Sequence, residues 1–468
     1  MFFENTICAI STAAGTGAIA VIRMSGIEAF NIVNKIFSPA SKEIKISEQA
    51  TNTICFGIVR DGERIIDEAL ISIFRAPHSY TGENVVEISC HGSAYIQQQI
   101  IQLLISNGCR LALPGEFTQR AFLNGKMDLN SAEAVADLIS SQTEAARRVA
   151  LQQMRGGFSS ELANLRERLL WFISLIELEL DFSEEDVEFA NRNELNKLVD
   201  EIITHVTKLI DSFSLGNAIK NGIPVAITGQ TNTGKSTLLN RLLKEERAIV
   251  SEIHGTTRDA IEDVVNIHGI AFRFIDTAGI RNSTDKIENL GIKITFDKIT
   301  KASIILFLID ITDEDSNITD SIDNILKIID LEHQRLIIAI NKTDLVDVAE
   351  ISNRFSKLHL PVSQKDIIFI SAKYNKNIDE LISALLESVN IQALDNNETI
   401  VTNIRHYEAL TKALDCLKNV KNGLISEISG DFLAQDIREA LHFIGSITGN
   451  ISSDEVLGNI FKNFCIGK

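Results

Sequence analysis

The spacing of apolar residues changes character three times along this chain, and each change predicts a different kind of element. Over residues 1–120, short β-rich runs (AIAVIR at 18–23, TICFGIV at 53–59, ALISIF at 69–74, VVEISC at 85–90) alternate with turn signals such as Asp61-Gly62 and Pro77. From 130 to 214 there is no proline, and apolar residues recur at helical spacing, most plainly in LLWFISLIELELDF at 169–182. That pattern predicts long helices packed as a bundle. After Gly222 strands and helices alternate: PVAITG, AFRFID, SIILFLID, RLIIAI and DIIFIS are apolar runs with helical segments between them. This is the sequence form of a parallel sheet covered on both faces. From 403 onward helical spacing returns. The simplest arrangement is an N-terminal α/β domain followed by a helical domain into which a second α/β domain is inserted.

Length, charge and cysteine content narrow the picture. A chain of 468 residues exceeds what one hydrophobic core serves, and 45% apolar with 23% charged residues describes an ordinary folded protein. A net charge of −18 means that any contact with RNA needs a local basic patch or a basic partner. The six cysteines (Cys8, Cys55, Cys90, Cys109, Cys416, Cys465) form no CxxC pair, which argues against structural zinc and a disulfide framework and fits a reducing compartment. The start, MFFENTICAIS, lacks a basic n-region, and the longest apolar run, 304–309, stops at Asp310, far short of a bilayer span. A cytoplasmic protein without a membrane segment is expected. The acidic cluster Asp181, Glu184, Glu185, Asp186 and Glu188 reads as a solvated helix end.

The chemistry is concentrated after Gly222. GQTNTGKST at 229–237 matches GxxxxGK[ST] where a strand gives way to a helix. Its glycines let the backbone wrap phosphates, and the helix N-terminus supplies amides. Asn232, Thr233, Gly234, Lys235, Ser236 and Thr237 form the phosphate loop; Lys235 reaches the β- and γ-phosphates and the Ser236 hydroxyl takes Mg²⁺. Asp276-Thr277-Ala278-Gly279 ends a strand, placing Asp276 behind the magnesium and the Gly279 amide at the γ-phosphate. Asn341-Lys342-Thr343-Asp344 ends another, where Asp344 accepts the N1 and N2 hydrogens of guanine, and Ser371-Ala372-Lys373 completes the base pocket. All fall at carboxyl ends of strands, where open α/β sheets bind ligands. The order is that of the GTPase superfamily, so the inserted domain is predicted to be a Ras-like P-loop GTPase.

One part departs from the common scheme. Where many GTPases carry a water-orienting Gln after DxxG, this chain has Ile280. The segment AIVSEIHGTTRD offers Thr257 as a second magnesium hydroxyl, and Asn232 offers a carbonyl oxygen toward the phosphates. A monovalent cation held there would neutralise the charge that an arginine finger meets elsewhere.

Together with IRMSG (22–26), TGENVVEISCHG (81–92), PGEFTQRAFLNGKMDLNSAEAVADLI (114–139) and the ending FCIGK (464–468), these residues resemble the tRNA-modification GTPase family called MnmE or TrmE, over essentially the whole chain. Thr231 and Thr233 stand where small residues or Pro are common in that family. The resemblance implies an N-terminal tetrahydrofolate-binding and dimerisation domain over 1–120, helical segments over 121–216 and 388–468, and the GTPase domain over 217–387. It implies a homodimer, potassium-stimulated GTP hydrolysis, and a heterotetramer with the FAD/NADH-dependent partner MnmG (GidA). That pair modifies position 5 of the wobble uridine (U34) of certain tRNAs to carboxymethylaminomethyl or aminomethyl uridine. The one-carbon unit comes from a tetrahydrofolate derivative, 5-formyl or 5,10-methylene. Carried over by motif, Arg23, Glu87, Lys126 and Lys468 contact the folate. Asn232, Ser251, Ile253 and Thr256 hold K⁺, and Ser236 and Thr257 hold Mg²⁺. Ser251, Glu252, Ile253, His254, Gly255, Thr256 and Thr257 line the nucleotide, and Glu288 orients the attacking water. Cys465, three residues before Lys468, is a candidate for the chemistry. His91 beside Gly92 reads as a structural histidine. The competing expectation is a GTPase of ribosome assembly, a class that usually carries a basic RNA-binding appendage.

Overall fold

The computed structural model describes residues 5–41, 45–181, 192–245, 262–276, 299–300, 302–331, 334–346, 363–388, 399–426, 428–451, 454–462, 464–465 and 467. The chain divides into two compact units, one of Met1–Ile139, Leu151–Asn196 and Asp415–Lys468, the other of Ser140–Ala150 and Lys197–Leu414.

The first unit is built on strands β1 (Ile7–Ile10), β2 (Ile19–Ser25), β3 (Phe37–Pro39), β4 (Thr53–Asp61), β5 (Arg64–Phe74), β6 (Val85–His91) and β7 (Arg110–Leu111). They form one sheet in the order β3-β4-β5-β6-β2-β1-β7, antiparallel except for the β1–β7 pair. Helices α1 (Ala29–Ile36) and α2 (Ala94–Ser106) cover one face. Strict alternation drives this: Ile22, Met24, Val86 and Ile88 point into a core with Phe30, Val33, Ile100 and Leu104. Their neighbours Arg23 and Glu87 therefore lie on the opposite face. Helix α3 (Glu116–Leu123) adds Phe117 to a small second core with Ile7, Ala9 and Ala112. Helical segments follow as α4 (Leu129–Ser140), α5 (Glu144–Met154), α6 (Gly157–Asp181) and α7 (Arg192–Asp211), of which α4 (by its last residue), α5 and α7 run across the unit boundaries. The LLWFISLIELELDF stretch lies in α6 to Asp181, as its helical spacing predicts; the acidic residues after Asp181 lie outside the described residues.

The second unit contains α8 (Phe213–Asn221), then β8 (Ile223–Gly229), α9 (Lys235–Glu245), β9 (Glu262–Ile267), β10 (Ile270–Asp276), β11 (Ile304–Asp310), α10 (Asp315–Leu326), β12 (Arg335–Asn341), β13 (Ile367–Phe369) and α11 (Ile378–Glu387). The sheet order is β13-β12-β11-β8-β10-β9. Each central strand serves two cores in turn. Val225, Ile227, Leu306, Leu308 and Ile337 meet Leu238, Leu242 and Leu381, while Ile305, Phe307, Ile309, Ile338 and Ile340 meet Ile318 and Ile322. That is why these runs are continuously apolar. One strand departs from the predicted parallel pattern: β9 runs antiparallel to β10. The ladder closes at Ile267↔Ile270, leaving His268 and Gly269 as a two-residue turn with φ of 50° and 84°. Positive φ at both positions suits a tight hairpin, which forces antiparallel pairing at the sheet edge.

The chain continues into α12 (Ile404–Ile425), α13 (Gly430–Thr448) and α14 (Asp454–Lys462). In the first unit α13 packs along α6, and Leu457 and Phe461 of α14 close a core with Leu129 and Ala132 of α4. No helix among the described residues is long and apolar enough to cross a membrane.

Candidate functional site

The phosphate loop joins β8 to α9, so its amides stand at a helix N-terminus where anions are stabilised. Its turns need unusual backbone: Gly229, Asn232 and Gly234 have φ of 145°, 66° and 98°. Asparagine tolerates the left-handed region better than other non-glycine residues, which gives Asn232 a conformational reason as well as its oxygen. At Gly234 a Cβ would stand 2.3 Å from Nδ2 of Asn341. Lys235 donates to the Gly229 and Gln230 carbonyls at 2.7 and 2.6 Å, curling its ammonium over the loop. Thr233 is buried and its hydroxyl donates to the Gln230 carbonyl at 2.9 Å, which ties the loop to itself. Ser236 and Thr237 open α9 as exposed hydroxyls, so the Ser236 oxygen suits a hard cation beside a phosphate.

The base-reading residues are held one by one. Asn341 ends β12, is 3% exposed, donates from Nδ2 to the Thr233 carbonyl at 2.8 Å and accepts the Ala372 amide on Oδ1 at 3.0 Å. A single carboxamide thus fastens the phosphate loop to the Ser371–Lys373 loop. Asp344 is exposed and accepts from the Ser371 hydroxyl at 2.6 Å, leaving its second oxygen for a ligand. The backbone amide of Thr343 and its hydroxyl both donate to the Ile370 carbonyl, at 3.2 and 3.0 Å. Lys373 places its ammonium 5.1 Å from the Tyr374 ring centroid, and its carbonyl accepts from Arg241 of α9 at 3.2 Å. Asp276 ends β10 in register with Ile227 of β8. The structure therefore brings together the GKST, NKTD and SAK segments at the carboxyl ends of β8, β12 and β13. Ser251, Glu252, Ile253, His254, Gly255, Thr256, Thr257, Thr277, Ala278, Gly279 and Glu288 lie outside the described residues.

A second assembly lies on the open face of the N-terminal sheet. Arg23 and Glu87 are directly opposite on β2 and β6, and Arg23 Nε donates to Glu87 Oε1 at 2.8 Å, with both side chains partly exposed. The guanidinium carbon lies 5.3 Å from the Tyr80 ring centroid and 5.6 Å from that of Phe117. Tyr80 exchanges a hydrogen bond with Thr118 at 2.9 Å; burial pushes its hydroxyl above the ordinary range, against the pull of Thr118 and Arg23. Lys126 Nζ donates to the Pro77 carbonyl at 2.9 Å, and its stem borders Gly82. A cation–carboxylate pair framed by aromatic rings, with a further exposed lysine at the rim, fits a ligand that carries both ring N–H groups and carboxylates.

Sequence reading missed what holds this face. Arg120 is fully buried and donates to Glu83 at 3.0 Å, Glu116 at 3.0 Å and the Asn5 carbonyl at 2.9 Å. Glu83 in turn accepts from Ser25 at 2.6 Å, so the loop bearing Tyr80 is locked to β2 and α3. Burial pushes Glu116 up, but Arg110, the Leu113 amide and Arg120 outweigh it and hold the carboxyl below the usual range. The available signal was Arg120 four residues after Glu116 on one helix, which alone reads as a surface pair.

The chain end packs on the same unit. Gly115 donates to the Cys465 carbonyl at 3.4 Å, and Ser11 donates to the Gly467 carbonyl at 3.0 Å. Gly467 has φ 96°, and a Cβ there would stand 2.2 Å from the Ile10 carbonyl oxygen. Cys465 is exposed while the other five cysteines are buried; Lys468 lies outside the described residues. His91 is exposed and lies 2.7 Å from Asp67 through Nδ1, with its backbone amide on the same carboxylate at 2.8 Å, a satisfied strand-end residue.

Comparison with known proteins agrees with this geometry. Residues 6–126 match the family described as GTP-binding protein TrmE N-terminus, and residues 129–465 match the MnmE helical domain. The tRNA modification GTPase MnmE of Bacteroides thetaiotaomicron is 57% identical over 466 residues, covering 99% of this chain and 100% of that protein. The protein of the same name from Bacteroides fragilis is 58% identical over 468 residues, with 99% and 100% covered. That of Flavobacterium johnsoniae is 55% identical over 471 residues, covering the whole of both. With the GKST, NKTD and SAK segments gathered at the carboxyl ends of their strands and these matches running from end to end, the chain belongs to the MnmE (TrmE) family of tRNA modification GTPases.

Proposed function

We propose that this GTPase acts as a cytoplasmic homodimer that, with a flavin- and NADH-using partner of the MnmG type, modifies position 5 of the wobble uridine of certain tRNAs. The observation that carries this reading is the packing of the Cys-x-Gly ending on Ser11 and Gly115, in the unit that bears the Arg23–Glu87 pair. Arg23, Glu87, Lys126 and Lys468 would hold the reduced folate. Bound there, the folate supplies the one-carbon unit. Glu87 suits pterin N–H groups, because one carboxylate accepts two adjacent donors; Lys126 suits the anionic tail. Cys465, whose thiol is exposed, would be the candidate for chemistry at that end.

In the 217–387 segment, water bonds to the γ-phosphorus while the bond to the β-bridging oxygen breaks and that oxygen keeps the electron pair. Lys235 neutralises the charge that grows there, and Glu288 holds the water in line. Ser236 and Thr257 would hold Mg²⁺, and Asn232, Ser251, Ile253 and Thr256 would hold K⁺; both cations supply positive charge at the phosphate oxygens. Asp344 selects guanine. The test is mass analysis of wobble uridines in cells lacking the protein, with and without the intact gene restored. Loss of the carboxymethylaminomethyl and aminomethyl groups, recovered on restoration, is expected. Unchanged uridines would overturn the reading.

A further inference from the structure

Strand β11 is buried along its whole length and ends in a carboxylate, Asp310, only 7% exposed. Asp310 belongs to none of the nucleotide motifs, yet it stands in register with Asn341, the first residue of NKTD. Its two oxygens are divided. Oδ1 accepts the Thr312 amide at 3.0 Å and the Thr312 hydroxyl at 2.7 Å, while Oδ2 pairs with Lys342 Nζ in a short contact. Lys342 is the second residue of NKTD and has φ 65°, a left-handed conformation that costs a non-glycine residue about 1 kcal/mol or more. Asn341 is fastened by Thr233 and Ala372, and Asp344 by Ser371. Asp310 is the corresponding fastening for the lysine between them. Burial opposes the charge of Asp310, but Lys342 and the two Thr312 donors outweigh it and keep the carboxyl below its usual range.

We propose that Asp310 is a positioning residue of the guanine pocket. By holding Lys342 Nζ, it fixes the lysine's alkyl stem as a wall of the base site and so slows release of guanine nucleotide. An ammonium on four rotatable bonds is otherwise free to swing, and a wall that moves lets the base leave. The inference rests on the reading of NKTD as the base site.

Release of fluorescent GDP from the full-length protein, followed by stopped flow, tests it. Asp310→Asn keeps the shape and the Thr312 bonds but loses the charge, and is expected to speed release about tenfold. Thr312→Ala, at an exposed position, removes one restraint on Asp310 and is expected to speed release about threefold. In a Lys342→Met background both substitutions should have no further effect, because the lysine is their only route to the base. A change in melting temperature with unchanged release would make Asp310 merely structural and overturn the proposal. Slower release would overturn it too, by showing that Asp310 draws the lysine away from the nucleotide. Additive effects in the Lys342→Met background would do the same. Asp344→Asn serves as the control: if it leaves GDP release and base preference unchanged, the reading of NKTD has failed, and not the role of Asp310.

Discussion

The two assemblies of this protein are made in opposite ways. The phosphate half of the nucleotide site is mostly consecutive backbone: loop amides at the start of α9 and carbonyls under Lys235. The N-terminal face is mostly side chain, and its members come from far apart in sequence. Arg23 meets Glu87 64 residues away, and Ser11 meets Gly467 456 residues away. A site built from consecutive backbone needs a short fixed string, because the residues that bend the chain are those that touch the ligand. A site built from scattered side chains needs the fold to bring them together, and each short string, such as IRMSG or TGENVVEISCHG, carries only one member of it.

The chain end separates the two assemblies most sharply. Removing residues 465–468 is expected to abolish wobble-uridine modification while GTP turnover stays within about twofold, since the GTPase elements lie in the other compact unit. Full modification by the truncated protein, measured by nucleoside mass analysis, would detach the tail from the chemistry. Asp344→Asn comes next. It is expected to lower GTP affinity about a hundredfold and to raise that for xanthosine triphosphate, because the amide presents a donor to the guanine donors. Titration with both nucleotides checks it, and no gain for the xanthine base would show that Asp344 does not read the ring.

Replacing Na⁺ by K⁺ should raise GTP hydrolysis about tenfold or more, and Asn232→Ala should flatten that response while sparing nucleotide affinity. Equal rates in the two salts would leave Asn232 with only its left-handed φ to explain it. Arg120→Met is expected to cost about 3–5 kcal/mol, because two buried or half-buried carboxylates lose a shared guanidinium. Urea unfolding measures it, and a loss below 1 kcal/mol would mean the loop bearing Tyr80 is held some other way. The smallest effect concerns acid. Glu116 has its folded-state pKa below the ordinary carboxylate value, so its contribution is fully present at neutral pH and is lost as pH falls through the folded value. Glu116→Gln should therefore flatten the stability profile below about pH 4.5, the ordinary value, in melts run from pH 7 to 3.

Sequence reading succeeded where pattern and position coincide. The strands around 18–23, 53–59, 69–74 and 85–90 and the central strands of the nucleotide sheet follow from alternation or continuous burial. It passed over β9, because EDVVNI is half polar and its turn is His-Gly, not the usual Asn-Gly or Asp-Gly pair. Lys235, Asn341, Asp344 and Ser371 could be read as site residues because each sits in a contiguous motif. Tyr80, Phe117 and Arg120 could not, because their roles arise from packing against Arg23 and Glu83, which no local spacing encodes. Asp310 was legible only as the polar stop of an apolar run.

The doubly fastened carboxamide of Asn341 also makes a reporter. Buried side-chain amide protons exchange slowly with solvent and resonate apart from the exposed ones. A nitrogen-15 spectrum should therefore hold a protected Asn341 pair, beside that of the buried Asn130, and of the two only the Asn341 pair should shift when the phosphate loop or the Ala372 loop moves. Occupancy of the phosphate half and of the base half of the pocket would then be heard through a single group, without a fluorophore on the nucleotide.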